Sequence, residues 1–125
     1  MTAPSQARLK AACETLARVD PALAIAYDVT GLPVWRAGAP TYAMLARMIT
    51  HQQISLGAAA AIWARTEALL GEVTPEAVLA ADPDALRACG QSRPKVGHLT
   101  SIAQSLVTGT LSLPRVCTAP LDDAR

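Results

Sequence analysis

The ionisable and nucleophilic side chains of this 125-residue chain are few, and their spacing speaks more of helix ends than of catalysis. Asp20, Glu76, Asp82 and Asp84 each stand at the start of a prospective helix, where a carboxylate accepts from unpaired backbone N–H groups and meets the positive end of the dipole. Glu14, Asp28, Glu67 and Glu72 read as solvated surface charges. The pair Asp122-Asp123 has the proximity that acid–base chemistry uses, yet the first turn of a helix stabilises two acids there without any reaction. His51 and His98 lie far apart with no Cys or carboxylate at ligand spacing, so no metal site is expected. The three cysteines, Cys13, Cys89 and Cys117, lack a C-x-x-C pairing and support neither zinc nor a disulfide framework. One short segment does gather charge. Gly90-Gln91-Ser92-Arg93-Pro94-Lys95 brings two cations to a turn that opens a helix, and it reads equally as a phosphate seat or as an ordinary capped turn.

The elements that would position these residues are all helical. Hydrophobic residues make up 51% of the chain and charged residues 17%, which excludes disorder and predicts a buried interior. Alanine runs such as Gly57-Ala58-Ala59-Ala60-Ala61-Ile62 favour closely packed helices, because Ala loses no side-chain entropy and lets backbones approach. The expected fold is all-α, in one domain over residues 1–125. A net charge of +1 provides no global basic field that would announce a nucleic-acid binder. No run is long enough to cross a membrane and the first residues lack the apolar stretch of a signal peptide, so a cytoplasmic location is expected.

Punctuation marks out the helices. Ser5 caps a first helix bearing Leu9, Cys13, Leu16 and Ala17, and Asp20-Pro21 opens a second that ends near Gly31. Gly31 to Pro40 is a turn-rich connection whose Trp35 is expected to pack on the core. From Thr41 a helix carries Tyr42, Leu45, Met48 and Ile49 on one stripe as far as Gln52-Gln53. Ser55 caps the next, with Ala59, Ile62, Trp63, Thr66 and Leu70 on one face before Gly71. Thr74-Pro75 and Asp82-Pro83 begin two short helices, the second ending at Cys89-Gly90. Ser92 starts a helix bearing Val96, Leu99, Ile102, Ala103 and Leu106, closed by Gly109. Leu111 to Cys117 reads as a connection, and residues 118–125 as the beginning of another helix.

Taken in order, Tyr42 to Ser55 with its QQIS element, Ala58 to Arg65 with IWAR, and TPEAVLAADPDALRACG leading to Lys95 resemble one family. It is the DNA-3-methyladenine glycosylase II group of the helix-hairpin-helix DNA glycosylase superfamily, and the similarity covers roughly residues 20 to 125. The resemblance implies a two-lobed all-α fold with double-stranded DNA in the cleft, base flipping, and hydrolysis of the N-glycosidic bond of an alkylated base. It implies no metal and no other cofactor.

By position, Gln52-Gln53 corresponds to the place where superfamily members insert a polar side chain near the vacated stack. Gln91-Ser92-Arg93 corresponds to the loop that supplies an intercalating wedge. An apolar residue is common in that loop, so Gln91 and Arg93 favour backbone contact over insertion. The DNA-binding set implied is Gln52, Gln53, Ser55, Gln91, Ser92, Arg93 and Lys95. No catalytic residue is assigned, because the family's Gly-rich hairpin and catalytic Asp would follow Pro120 and neither is present. The expectation is therefore a glycosylase-type chain that is inactive alone. The rival readings are a non-catalytic helical interaction module and a truncated gene product without function.

Overall fold

The computed structural model describes residues 4–35 and 38–120. Among them are eight α-helices and no strand, which is the all-α class that composition and capping imply. The chain divides into two compact units, Met1–Gly38 and Ala39–Arg125. Asp122 and Asp123, and the helix expected to begin around them, lie outside the described residues.

The first unit is a pair of helices, α1 (Gln6–Val19) and α2 (Pro21–Thr30), packed against each other. Ser5 Oγ accepts from Arg8 N at 3.2 Å to start α1. Asp20 then serves both helices: its N–H donates to Leu16 O, and its Oδ1 accepts from Ala22 N at 2.8 Å. Pro21 follows at the first helical position, where its missing N–H costs nothing. Neither helix contains a buried residue, and Val19, Ile25 and Val29 are largely exposed. Trp35 is 50% exposed, which corrects the expectation that its indole packs into the core.

The second unit contains α3 (Tyr42–Thr50), α4 (Leu56–Leu70), α5 (Pro75–Ala80), α6 (Pro83–Ala88), α7 (Arg93–Val107) and α8 (Leu113–Thr118). One device starts five of them: a side-chain oxygen of Thr41, Ser55, Thr74, Asp82 or Ser92 accepts a backbone N–H of the first turn. α7 is the centre of packing and touches α3, α5 and α6. The core joins Tyr42, Ala46, Ile49, Trp63, Val73, Val78, Leu86, Val96, Leu99 and Ala103. Burying Leu86 and Leu99, each 1% exposed, stabilises the unit by about 1.5–3 kcal/mol apiece. Ala46, Ala59 and Ala103 are buried because helices meet closely where side chains are small.

Three sequence expectations change here. The inner stripe of α3 is Tyr42, Ala46, Ile49 and Thr50, while Met48 is 60% exposed; α3 turns its small residue inward and its flexible one outward. That helix also ends at Thr50, with His51 as its cap, short of Gln52-Gln53. Residues 113–118, read as connection, form α8, with Pro114 in the first turn. Ser112-Leu113-Pro114 repeats the Ser–Pro start seen elsewhere, although the Ser112 side chain makes no capping bond.

Candidate nucleic-acid interface

Two turns carry the residues with binding potential. The first joins α3 to α4 through His51, Gln52, Gln53 and Ile54. Gln53 sits at φ +58, the only non-glycine residue with positive φ among the described residues. An L residue is rarely held there without something that over-determines it. Gln52, Gln53 and Ser55 are exposed. Ser55 Oγ is committed to Ala58 N at 3.2 Å, and the first-turn N–H groups of Leu56 and Gly57 have no acceptor within the helix.

The second turn, Cys89 to Ser92, joins α6 to α7 and is clamped onto α4. Arg65 Nε donates to Cys89 O at 2.8 Å, and Cys89 Sγ donates in return to Arg65 O at 3.5 Å. Gly90 has φ +105, and a Cβ there would stand 2.8 Å from Ile62 Cγ1. Only glycine fits both the conformation and the approach.

Gln91 does not take the place expected of it. Its side chain is 3% exposed and turned inward between α3 and α4, so it is spent inside the fold and not offered to a DNA backbone. Nε2 donates to Thr50 Oγ1 at 2.9 Å and to Thr66 Oγ1 at 3.2 Å. Each hydroxyl has already given its single proton to the carbonyl one turn back, Ala46 O or Ile62 O. Both therefore present lone pairs, and only the amide NH2, with two protons, satisfies the two at once. The opposite atom, Oε1, is buried without a hydrogen-bond partner.

Lys95 is also redirected. Its Nζ donates to Thr50 O and to Gln52 O, each at 2.9 Å, tying the start of α7 to the end of α3. Ser92 Oγ takes the Lys95 N–H at 3.4 Å, and Pro94 has none to offer. Of the two readings left open for this segment, the backbone thus follows the capped turn. Arg93 is different: it is exposed, and its guanidinium has no partner among the described residues. It lines a shallow groove of about 780 Å3 along α7, together with Gly97, Thr100, Ser101 and Gln104.

Lys95 holds the Gln52 carbonyl, so the first turn of α7 is tied to the turn that follows α3. Gln52, Gln53, Ser92 and Arg93 are all exposed. Ser55 follows two residues beyond Gln53 at the start of α4. Among the described residues no cluster of His, Cys, Asp or Glu could hold a metal ion, and no helix is long and apolar enough to cross a membrane. No pair of acid and base is formed among these residues either, so what the two turns offer chemically is binding: the amides of Gln52 and Gln53, the first N–H groups of α4 and the exposed Arg93 guanidinium.

Sequence comparison supplies the class that helices and turns alone do not define. Residues 46–124 match the family described as HhH-GPD superfamily base excision DNA repair protein. The chain belongs to that superfamily. Among solved structures it is similar to the DNA-3-methyladenine glycosidase of Bacillus halodurans, at 26% identity and a TM-score of 0.69. The match covers 88% of this chain and 52% of the other, so the chain spans about half the length of that structure. No curated protein matches the sequence.

Proposed function

We propose that this chain serves base excision repair of alkylated DNA, and that it meets the duplex with the patch formed by Gln52, Gln53, Ser55, Ser92 and Arg93. The observation that carries the reading is the bridge from Lys95 to the Gln52 carbonyl, which ties the first turn of α7 to the polar turn bearing Gln52 and Gln53. The amides of Gln52 and Gln53 can each donate and accept, which suits a position beside a vacated base stack. The first N–H groups of α4 and the Arg93 guanidinium suit phosphates, which fix register without reading sequence. Supporting the substrate class is the similarity to a DNA-3-methyladenine glycosidase. In this reading the reaction of the glycosylase is hydrolysis of the bond between an alkylated base and its deoxyribose, after the nucleotide has been turned out of the duplex.

The test is binding of the chain to a duplex holding a stable abasic-site mimic, titrated against salt beside an undamaged duplex. Preference for the mimic that falls on Gln52→Ala supports lesion recognition by this patch. Weak and equal binding to both duplexes, erased by moderate salt, would leave only non-specific attraction and sink the proposal.

A further inference from the structure

We infer that Lys95 is a positioning residue: from the first turn of α7 it fixes the left-handed turn presenting Gln52 and Gln53, and thereby sets lesion recognition without touching DNA. The inference rests on the reading of that turn as a DNA contact.

Lys95 stands at the third position of α7, where a cation faces the positive end of its own helix. Its ammonium instead reaches the end of α3 and meets the negative end of that helix, in bonds of 2.9 Å to Thr50 O and Gln52 O. Those two bonds occupy two of its three protons, and the side chain is half-buried. The Gln52 carbonyl belongs to the peptide plane that leads into Gln53. Holding that oxygen fixes the plane about which Gln53 adopts φ +58. Gln91 anchors the other side of the same joint, since its amide grips the Thr50 hydroxyl while Lys95 grips the Thr50 carbonyl. The α6–α7 turn and the α3–α4 turn are thus one braced unit, in which Lys95 is spent while Arg93 stays exposed.

The experiment compares the whole chain with Lys95→Met, Lys95→Arg, Gln52→Ala, Arg93→Ala and the Lys95→Met/Gln52→Ala pair. Each is titrated with the abasic-mimic duplex over a range of salt, and 15N relaxation of residues 52–54 is recorded on the unbound proteins. Met keeps the length of the Lys stem and its helix propensity, so the fold persists. Lys95→Met is expected to weaken binding to the mimic by about tenfold, a difference of about 1.4 kcal/mol. It is also expected to loosen residues 52–54 and to leave the slope of log K against log salt unchanged. In the Gln52→Ala background the same substitution should cost clearly less than it does alone, because only Gln53 is then left to be positioned, and Lys95→Arg should restore most of the affinity. Arg93→Ala, in contrast, should lower the salt slope by about one. If Lys95→Met lowers that slope, adds in full to Gln52→Ala, or leaves the turn rigid, Lys95 does not act by positioning. If the unaltered chain shows no preference for the mimic, the DNA reading of the turn fails, and the inference with it.

Discussion

Replacing Gln91 tests the account of the buried joint most directly, because its two ends make opposite contributions. Its Nε2 forms two hydrogen bonds to the Thr50 and Thr66 hydroxyls, and its Oε1 is buried with none. Losing two neutral hydrogen bonds costs about 1–3 kcal/mol, whereas removing an unpaired buried acceptor returns about 1–3 kcal/mol. Gln91→Met conserves volume and removes both ends together, so its net change is expected within about 1 kcal/mol of zero. Gln91→Ala adds a cavity to the lost bonds and should cost about 2–4 kcal/mol. Gln91→Glu is worse, because the two hydroxyls spend their protons on Ala46 O and Ile62 O and offer a carboxylate only lone pairs. Burial raises the pKa of such a carboxyl, so the stability of that variant is retained below the unfolded pKa and is lost as pH rises through the folded one. Urea unfolding followed by circular dichroism measures all three. If Gln91→Met proves as damaging as Gln91→Ala, the reasoning that an orphaned oxygen offsets the two bonds is wrong.

Three further outcomes are expected. Gly90→Ala should cost more than Gly71→Ala in thermal unfolding, since both have positive φ but only at Gly90 does the added Cβ meet a neighbour, Ile62, at 2.8 Å; the strain of positive φ alone is about 1–2 kcal/mol. Equal losses at the two sites would show that the close approach is inconsequential. Tyr42 donates to Leu99 O at 2.9 Å, and desolvation pushes its pKa up to about 12, so its contribution to stability is intact below about pH 10 and declines from there toward pH 12. Tyr42→Phe should abolish that alkaline component of the stability profile, and an absorbance titration that finds no phenol ionising near pH 12 in the native chain would contradict it. Ser55→Ala should lower stability by about 1 kcal/mol through the lost cap on α4, while Ser112→Ala, whose side chain caps nothing, should leave the melting temperature where it was.

The helices of this protein were legible in its sequence wherever one turn decides the outcome. A cap joins residues two or three apart, and a proline or a glycine acts on its own peptide unit, so Ser5, Asp20, Thr41, Ser55, Thr74, Asp82 and Ser92 announce their helices unaided. The same signal was present at Ser112-Leu113-Pro114 and passed for a connection, because a six-residue helix with no buried residue has no apolar period to read. Which side of α3 faces inward could not be read from periodicity, since Met48 and Ala46 are both apolar and only the closeness of the neighbouring helix selects the smaller.

The candidate site divides along the same line. Gln52, Gln53, Ser55, Ser92 and Arg93 stand out as exposed polar residues at helix ends, and local pattern suffices to find them. Gln91 and Lys95 looked alike as members of a basic polar loop. Their true partners are 41 and 45 residues away at Thr50, and no local spacing reveals a bond of that range. Where the helices start and stop follows from the chain's local residue order, because capping is satisfied within a turn. Only the tertiary structure decided which polar groups of those turns are spent on each other and which are left for a ligand, because a hydrogen-bonding group has few partners to take and distant chain segments compete for them.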